Sequence, residues 1–295
     1  MNRVITLLRA ILVAVLGVSL WTSSVAKAES PVEYLMVPSA AMGRDVPVAV
    51  TVGGSHGVYL LDSFDAGEVV NNWVTAGNAM NALAGKGISV VAPAGGAYSL
   101  YTNWERDGGK QWETFLSDEL PNWLAANRGL ASGGHAVVGA SQGGTAAITL
   151  AAFHPDRFRY AGSMSGFLTP GNTALAGAIS AGMARFGGVN TDDMWGPAQF
   201  GRWKWHDPDA HVQALVDNET RLWVFSPQSH TSANPAAMLG YADQAQGSNR
   251  SFFVHYRGTG GRNGHFDFPV DGDHGWSTWA PQLEVMARDM AAWIK

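Results

Sequence analysis

The chain has no cysteine. Thiol catalysis, disulfides and cysteine-ligated metal sites are excluded, so a chain of 295 residues must draw its stability from a large core. Charge is also scarce. Charged residues make up 15% of the chain and the net charge is −5, with no long basic run, which argues against a nucleic-acid partner. Long apolar stretches are missing beyond the first 28 residues, so no transmembrane segment is expected. No internal repeat, low-complexity tract or linker interrupts the chain. One domain over 29–295 is expected, with no cofactor and no metal.

The first residues read as a targeting segment. Arg3 and Arg9 form a basic start, 10–21 is apolar but too short for a membrane span, and Ala26-Lys27-Ala28 supplies a small-x-small cleavage pattern. Residues 1–28 are expected to be a signal peptide and the protein to be secreted, at the cell envelope or beyond. The 12 tryptophans suit contacts with sugars or amphiphiles, and large cores use them equally.

Gly139-Ala140-Ser141-Gln142-Gly143 organises the rest. A short apolar run ending at Val138 precedes it, and 144–153, rich in small residues, follows it as a helix. Strand, Gly-x-Ser-x-Gly, helix is the context of a nucleophile elbow, in which glycines keep the turn tight and the helix start offers N–H groups to a developing oxyanion. A second match, Gly53-Gly54-Ser55-His56-Gly57, has strand-like runs on both sides and no helix after it, and reads as a hairpin loop.

Further strands are expected at 34–37, 46–52, 58–61, 88–92, 136–138, 160–164, 222–225 and 251–256. Helices are expected near 75–84, over 112–127 with Pro121 as a kink, over 235–246 and over 281–294. Alternation of this kind gives an α/β fold, a mostly parallel central sheet with helices on both faces. An insertion, 168–217, is expected to cover the mouth of the site, its Trp195, Trp203 and Trp205 forming an apolar wall or completing the core.

A serine nucleophile needs a base and commonly an acid, which follow in the chain order serine, acid, histidine in α/β-hydrolases. Of nine histidines, His274 in Asp271-Gly272-Asp273-His274-Gly275-Trp276 lies in a glycine-rich loop before the last helix and is the candidate base. His265, in an aromatic run, reads as a packing residue. Asp243 is the one carboxylate between the strands at 222–225 and 251–256, so it is the candidate acid, with a solvated helix position as the alternative. Asp271 and Asp273 are too close along a tight loop to reach the far ring nitrogen.

Several stretches resemble the antigen 85 family of exported mycobacterial mycolyltransferases, also called fibronectin-binding proteins. They include Val32-Glu33-Tyr34-Leu35-Met36-Val37-Pro38-Ser39, Trp112-Glu113-Thr114-Phe115-Leu116, Asp193-Met194-Trp195-Gly196-Pro197 and Phe266-Asp267-Phe268-Pro269. Two more, Gly201-Arg202-Trp203-Lys204-Trp205-His206-Asp207-Pro208 and Ala92-Pro93-Ala94-Gly95-Gly96-Ala97-Tyr98, are most similar to an atypical branch of that family. The resemblance implies an α/β-hydrolase fold, Ser141 as nucleophile and His274 as base. It also implies backbone N–H groups of Phe64 and Gln142 as oxyanion hole, and Asp62 and Trp276 in a sugar pocket. Three departures stand out. The family's catalytic glutamate falls on Gly240 or Ala242, a pocket arginine becomes Asp65, and the disulfide loop gives way to a short stretch near 105–110. The branch implies host attachment through fibronectin or small sugars such as trehalose, with acyl lipids as further partners and at most weak acyl chemistry. A serine esterase or acyltransferase working through an acyl-enzyme on Ser141 is the alternative.

Overall fold

A computed structural model describes residues 31–228 and 240–294. Eight strands form one sheet in the order β1-β2-β4-β3-β5-β6-β7-β8. They are β1 Glu33–Ser39, β2 Arg44–Thr51, β3 Gly57–Leu61, β4 Ser89–Pro93, β5 His135–Ala140, β6 Phe158–Met164, β7 Arg221–Phe225 and β8 Gly264–Asp267. β1 and β2 pair antiparallel, β2 pairs antiparallel with β4, and β4 through β8 run parallel. Parallel neighbours need long crossovers, and helices supply most of them.

Successive strand residues point to opposite faces, and here both faces are covered. Tyr59, Leu61 and Val137 join the core under the helices Trp112–Thr114, Leu120–Arg128, Gln142–Phe153 and Tyr241–Gly258. Val58, Leu60, Ala136 and Val138 join a second core with Trp73 and the C-terminal helix Trp276–Ile294. Burial on both sides explains why β3, β4 and β5 read as unbroken apolar runs. The α/β-hydrolase sheet expected from the sequence is the one observed.

Three expectations are corrected. The run 251–256 is not a strand but lies inside the helix Tyr241–Gly258. Its Phe252 and Tyr256 are buried four residues apart while Val254 is 68% exposed, a helical period that the β-forming composition conceals. The last strand is Gly264–Asp267, where His265 stacks on Trp223 with centroids 3.9 Å apart. Residues 53–57 are not a hairpin loop, because β4 lies between β2 and β3. The glycines there let the chain pass close to β4: Gly53 and Gly54 donate their N–H groups to Ser89 Oγ, and a Cβ on either would strike the backbone at Gly87 or Ile88.

Elsewhere differences are of detail. The helix near 75–84 is two short helices, Asn72–Thr75 and Ala79–Ala82. Before Pro121 the helix widens into a π-turn, Phe115–Glu119, with Leu120 N–H bonded to Phe115 carbonyl, so the proline's missing N–H falls where the helix has shifted register. The expected signal segment and residues 235–239 of an expected helix lie outside the described residues.

Candidate active site

Ser141 follows the last residue of β5 and precedes the helix Gln142–Phe153 without a spacer. Its backbone is held at φ 53°, ψ −118°, a conformation costly for a residue with a side chain. What enforces it is packing. A Cβ on Gly139 would strike the Gly143 backbone, and one on Gly143 would strike the Leu61 carbonyl, so the helix start rides against β3 and β5 only because glycines stand there. Ser141 N–H donates to the Met164 carbonyl at 2.8 Å and fixes the turn to β6.

His274 comes from the loop between β8 and the C-terminal helix. Its Nε2 lies 2.9 Å from Ser141 Oγ. The ring stands among Phe167, Tyr241 and Trp279, with centroids 6.0, 6.2 and 5.0 Å away. Burial pushes its pKa down to about 4, so the ring is neutral at pH 7 and able to take the serine proton. Asp273, beside it in sequence, is committed elsewhere: its carboxylate accepts from Thr278 Oγ1 at 3.0 Å and Ser277 Oγ at 3.3 Å, holding the start of the C-terminal helix.

The loop after β3 carries Phe64. Asp62 is fully buried, and its carboxylate accepts N–H bonds from Ser63 at 2.8 Å, Asn72 at 2.7 Å and Gly67 at 3.3 Å. Burial raises its pKa to about 6 against the pull of those donors. Asp62 thus shapes the loop and is not on the cavity wall. The Gln142 side chain ties this loop to the elbow. Its Nε2 donates to Ser63 carbonyl at 2.7 Å and Gly96 carbonyl at 2.9 Å, and its Oε1 accepts from Leu100 N–H at 3.0 Å. Among the described residues neither Phe64 N–H nor Gln142 N–H has a protein acceptor, and the latter belongs to the first turn of a helix, where donors are left over. Gln142 directly follows Ser141, and Phe64 lines the same cavity as Ser141.

A cavity of about 300 Å³ opens onto Ser141 and His274. Phe64, Tyr98, Phe186, Tyr241, Trp276 and Trp279 form most of its wall, with Ser63 and Asp65 at one side. Trp276, which the resemblance assigned to a sugar pocket, lines this cavity. Asp243 does not. Tyr241 faces His274, and two residues further along a helix the side chain is turned by about 200°; Asp243 is exposed while His274 is 6% exposed. Trp195 and Trp203 are buried in a separate core with Leu100, Phe167 and Met183, and Trp205 is 60% exposed. From the insertion, Phe186 supplies the wall instead. Tyr98, Phe186, Tyr241, Trp279 and the Gln142 side chain carried no local sequence signal beyond aromatic character, since five separate segments bring them together.

The family described as "Putative esterase" matches residues 39–290. The MPT51/MPB51 antigen of Mycobacterium tuberculosis (strain H37Rv) is 63% identical over 294 residues, covering 98% of each chain. The chain belongs to the antigen 85 family. The diacylglycerol acyltransferase/mycolyltransferase Ag85B of Mycolicibacterium smegmatis is 42% identical over 296 residues, 95% of this chain and 90% of that one. The crystal structure of Mycobacterium tuberculosis MPT51 (FbpC1) superposes with a TM-score of 0.88 at 66% identity, covering 90% of this chain and 100% of that one. Asp62, which the resemblance assigned to a sugar pocket, faces its own loop.

Proposed function

We propose that this antigen 85 family member performs serine-dependent chemistry on small esters. The observation that carries it is the 2.9 Å approach of His274 Nε2 to Ser141 Oγ on the floor of the cavity. Ser141 Oγ attacks the ester carbonyl as its proton passes to His274. The carbonyl oxygen becomes an alkoxide held by Phe64 and Gln142 N–H groups. His274 then protonates the leaving alcohol, and water or a second alcohol resolves the acyl-Ser141 by the reverse sequence. A cavity of about 300 Å³ suits short acyl groups, so little mycolyl transfer is expected. Residues 1–28 support export to the envelope.

Labelling with a fluorophosphonate, alongside turnover of a short p-nitrophenyl ester, tests this reading. Labelling and turnover that both vanish in Ser141→Ala are expected. Turnover unchanged by that substitution would overturn it.

Attachment to fibronectin or to small sugars is a second reading. Phe200, 90% exposed, and Trp205, 60% exposed, favour it, because both stand out from the insertion where a partner can reach them. Binding of immobilised fibronectin that is unaltered in Phe200→Ser/Trp205→Ser would remove that support.

A further inference from the structure

The cavity wall has an order that ester hydrolysis alone does not require. Six rings run in an unbroken chain past the nucleophile. Tyr98 stacks on Phe64 at 5.6 Å and 17°; Phe64 meets Tyr241 at 6.0 Å, Tyr241 meets His274 at 6.2 Å, His274 meets Trp279 at 5.0 Å and Trp279 meets Trp276 at 5.5 Å. Beside this belt, among the described residues, the lining holds a single acidic side chain, Asp65, and no lysine or arginine. Both Asp65 and Tyr98 line the cavity, and burial first, then the Asp65 charge, raises the Tyr98 pKa.

Among the described residues, hydrogen-bonding capacity in the lining is small and partly spent. Ser63 Oγ donates to Asp65 Oδ1 at 2.5 Å, and Tyr241 OH donates to the Ala178 carbonyl at 3.1 Å. A polyol buried here would leave many hydroxyls without partners, at a cost for each. A quaternary ammonium group has no hydrogen to donate. Its charge is satisfied by ring faces and by one carboxylate, which is what this wall offers. The Arg185 guanidinium lies 5.6 Å from the Phe186 ring and does not line the cavity.

We infer that the site selects esters of quaternary ammonium alcohols of the choline type, with the cationic head against the ring belt and Asp65 and the acyl carbonyl at Ser141. The inference rests on the esterase reading. In the reaction the acyl C–O bond breaks and Ser141 Oγ takes the acyl group. The serine proton travels through His274 to the departing alcohol oxygen, so choline leaves neutral at oxygen and cationic at nitrogen. Water then supplies the oxygen of the released acid and, through His274, the proton that restores Ser141.

The test has two arms. In the first, butyrylcholine and its carbon isostere, 3,3-dimethylbutyl butyrate, are compared by kcat/KM. A preference for the cation of about tenfold or more is expected, falling towards one in Asp65→Asn and in Trp276→Leu, whatever happens to either absolute rate. Equal kcat/KM for the two esters, with both hydrolysed in a Ser141-dependent way, would overturn the inference and leave the esterase reading standing. If neither ester is hydrolysed, the esterase reading fails, and the second arm decides the pocket's chemistry. In it phenyltrimethylammonium is titrated into Ser141→Ala while tryptophan fluorescence is followed. Saturable quenching, weakened at least threefold by Asp65→Lys, is expected. No saturable change, a change indifferent to residue 65, or equal quenching by trehalose would overturn the inference.

Discussion

The chain carries Gly-x-Ser-x-Gly twice, at opposite ends of neighbouring strands. Ser55 precedes β3, at its amino end, and Ser141 follows β5, at its carboxyl end; the two strands are parallel neighbours. Both copies have glycines in close passage against neighbouring backbone, and both have a histidine near the serine. Ser55 Oγ lies 3.3 Å from His56 Nδ1, no worse a pair on paper than many catalytic ones. Yet Ser55 is exposed, with normal backbone and no helix beginning behind it. Ser141 is 2% exposed, strained at φ 53°, followed directly by a helix, and faces a cavity. The lesson is that position relative to the carboxyl ends of parallel strands, where loops and helix starts converge, makes the pattern chemical.

The sharpest way to break this comparison is to remove each hydroxyl. Ser141→Ala is expected to lower ester turnover by about 10³-fold or more, whereas Ser55→Ala should leave it within about twofold. Comparable losses would mean that the strand end does not distinguish the copies. Next in size is the side chain that the second copy lacks. Gln142→Ala removes three hydrogen bonds to buried backbone and should cost roughly 2–5 kcal/mol of stability in urea melts. Turnover should fall by about 10- to 100-fold as the Phe64 loop loosens. Full activity with unchanged stability would show that the loop is held by Asp62 alone.

The histidines sharpen the comparison through pH. With a pKa of about 4, His274 loses its proton as pH rises through about 4, so kcat/KM should climb there and stay level to about pH 8. A limb near 6.5 would mean an unburied base. The same burial affects stability. Unfolded His274, His135 and His206 bind protons below about 6.5, while in the folded chain burial holds each near 4. Folding should therefore weaken as pH falls from about 6.5 towards 4. Asp62 and Asp207, raised to about 6, bind protons more readily when folded and soften the loss without reversing it. Urea midpoints at pH 7 and pH 5 check the sign. The smallest effect is reserved for Asp243→Asn, expected to change turnover less than about twofold because the side chain faces out; a loss of orders of magnitude would restore Asp243 as the orienting acid.

These contrasts also explain what could be read from the sequence. The elbow is contiguous, its glycines and its serine adjacent, so one local pattern with strand before and helix after sufficed. His274 followed from chain order in this architecture. The apolar runs of β3, β4 and β5 were legible because burial on both faces leaves no polar alternation to confuse them. The stretch 251–256 was misread because its aromatic and β-branched residues are strand formers, and only the tertiary contacts of Phe252 and Tyr256 make the helical period visible. Asp62 was misplaced since a residue number says nothing of whether a carboxylate turns to a ligand or to its own loop. The ring belt could not be read at all, being gathered from Phe64, Tyr98, Tyr241, His274, Trp276 and Trp279 only by the fold.

The Gln142 clamp has a consequence for how the site breathes. By joining the elbow to the Ser63, Gly96 and Leu100 backbones, it makes nucleophile and oxyanion loop a single mechanical body, so the hydrogen-bonded amides of Ser141 and Leu100 should exchange with solvent deuterium only when the whole domain opens. Phe186, 41% exposed at the end of the helix Thr173–Gly187, belongs to a different body, the insertion. Amides around it should exchange by local opening, faster by decades than the Leu100 amide. Substrates would then pass by movement of that one rim, while the catalytic floor stays still.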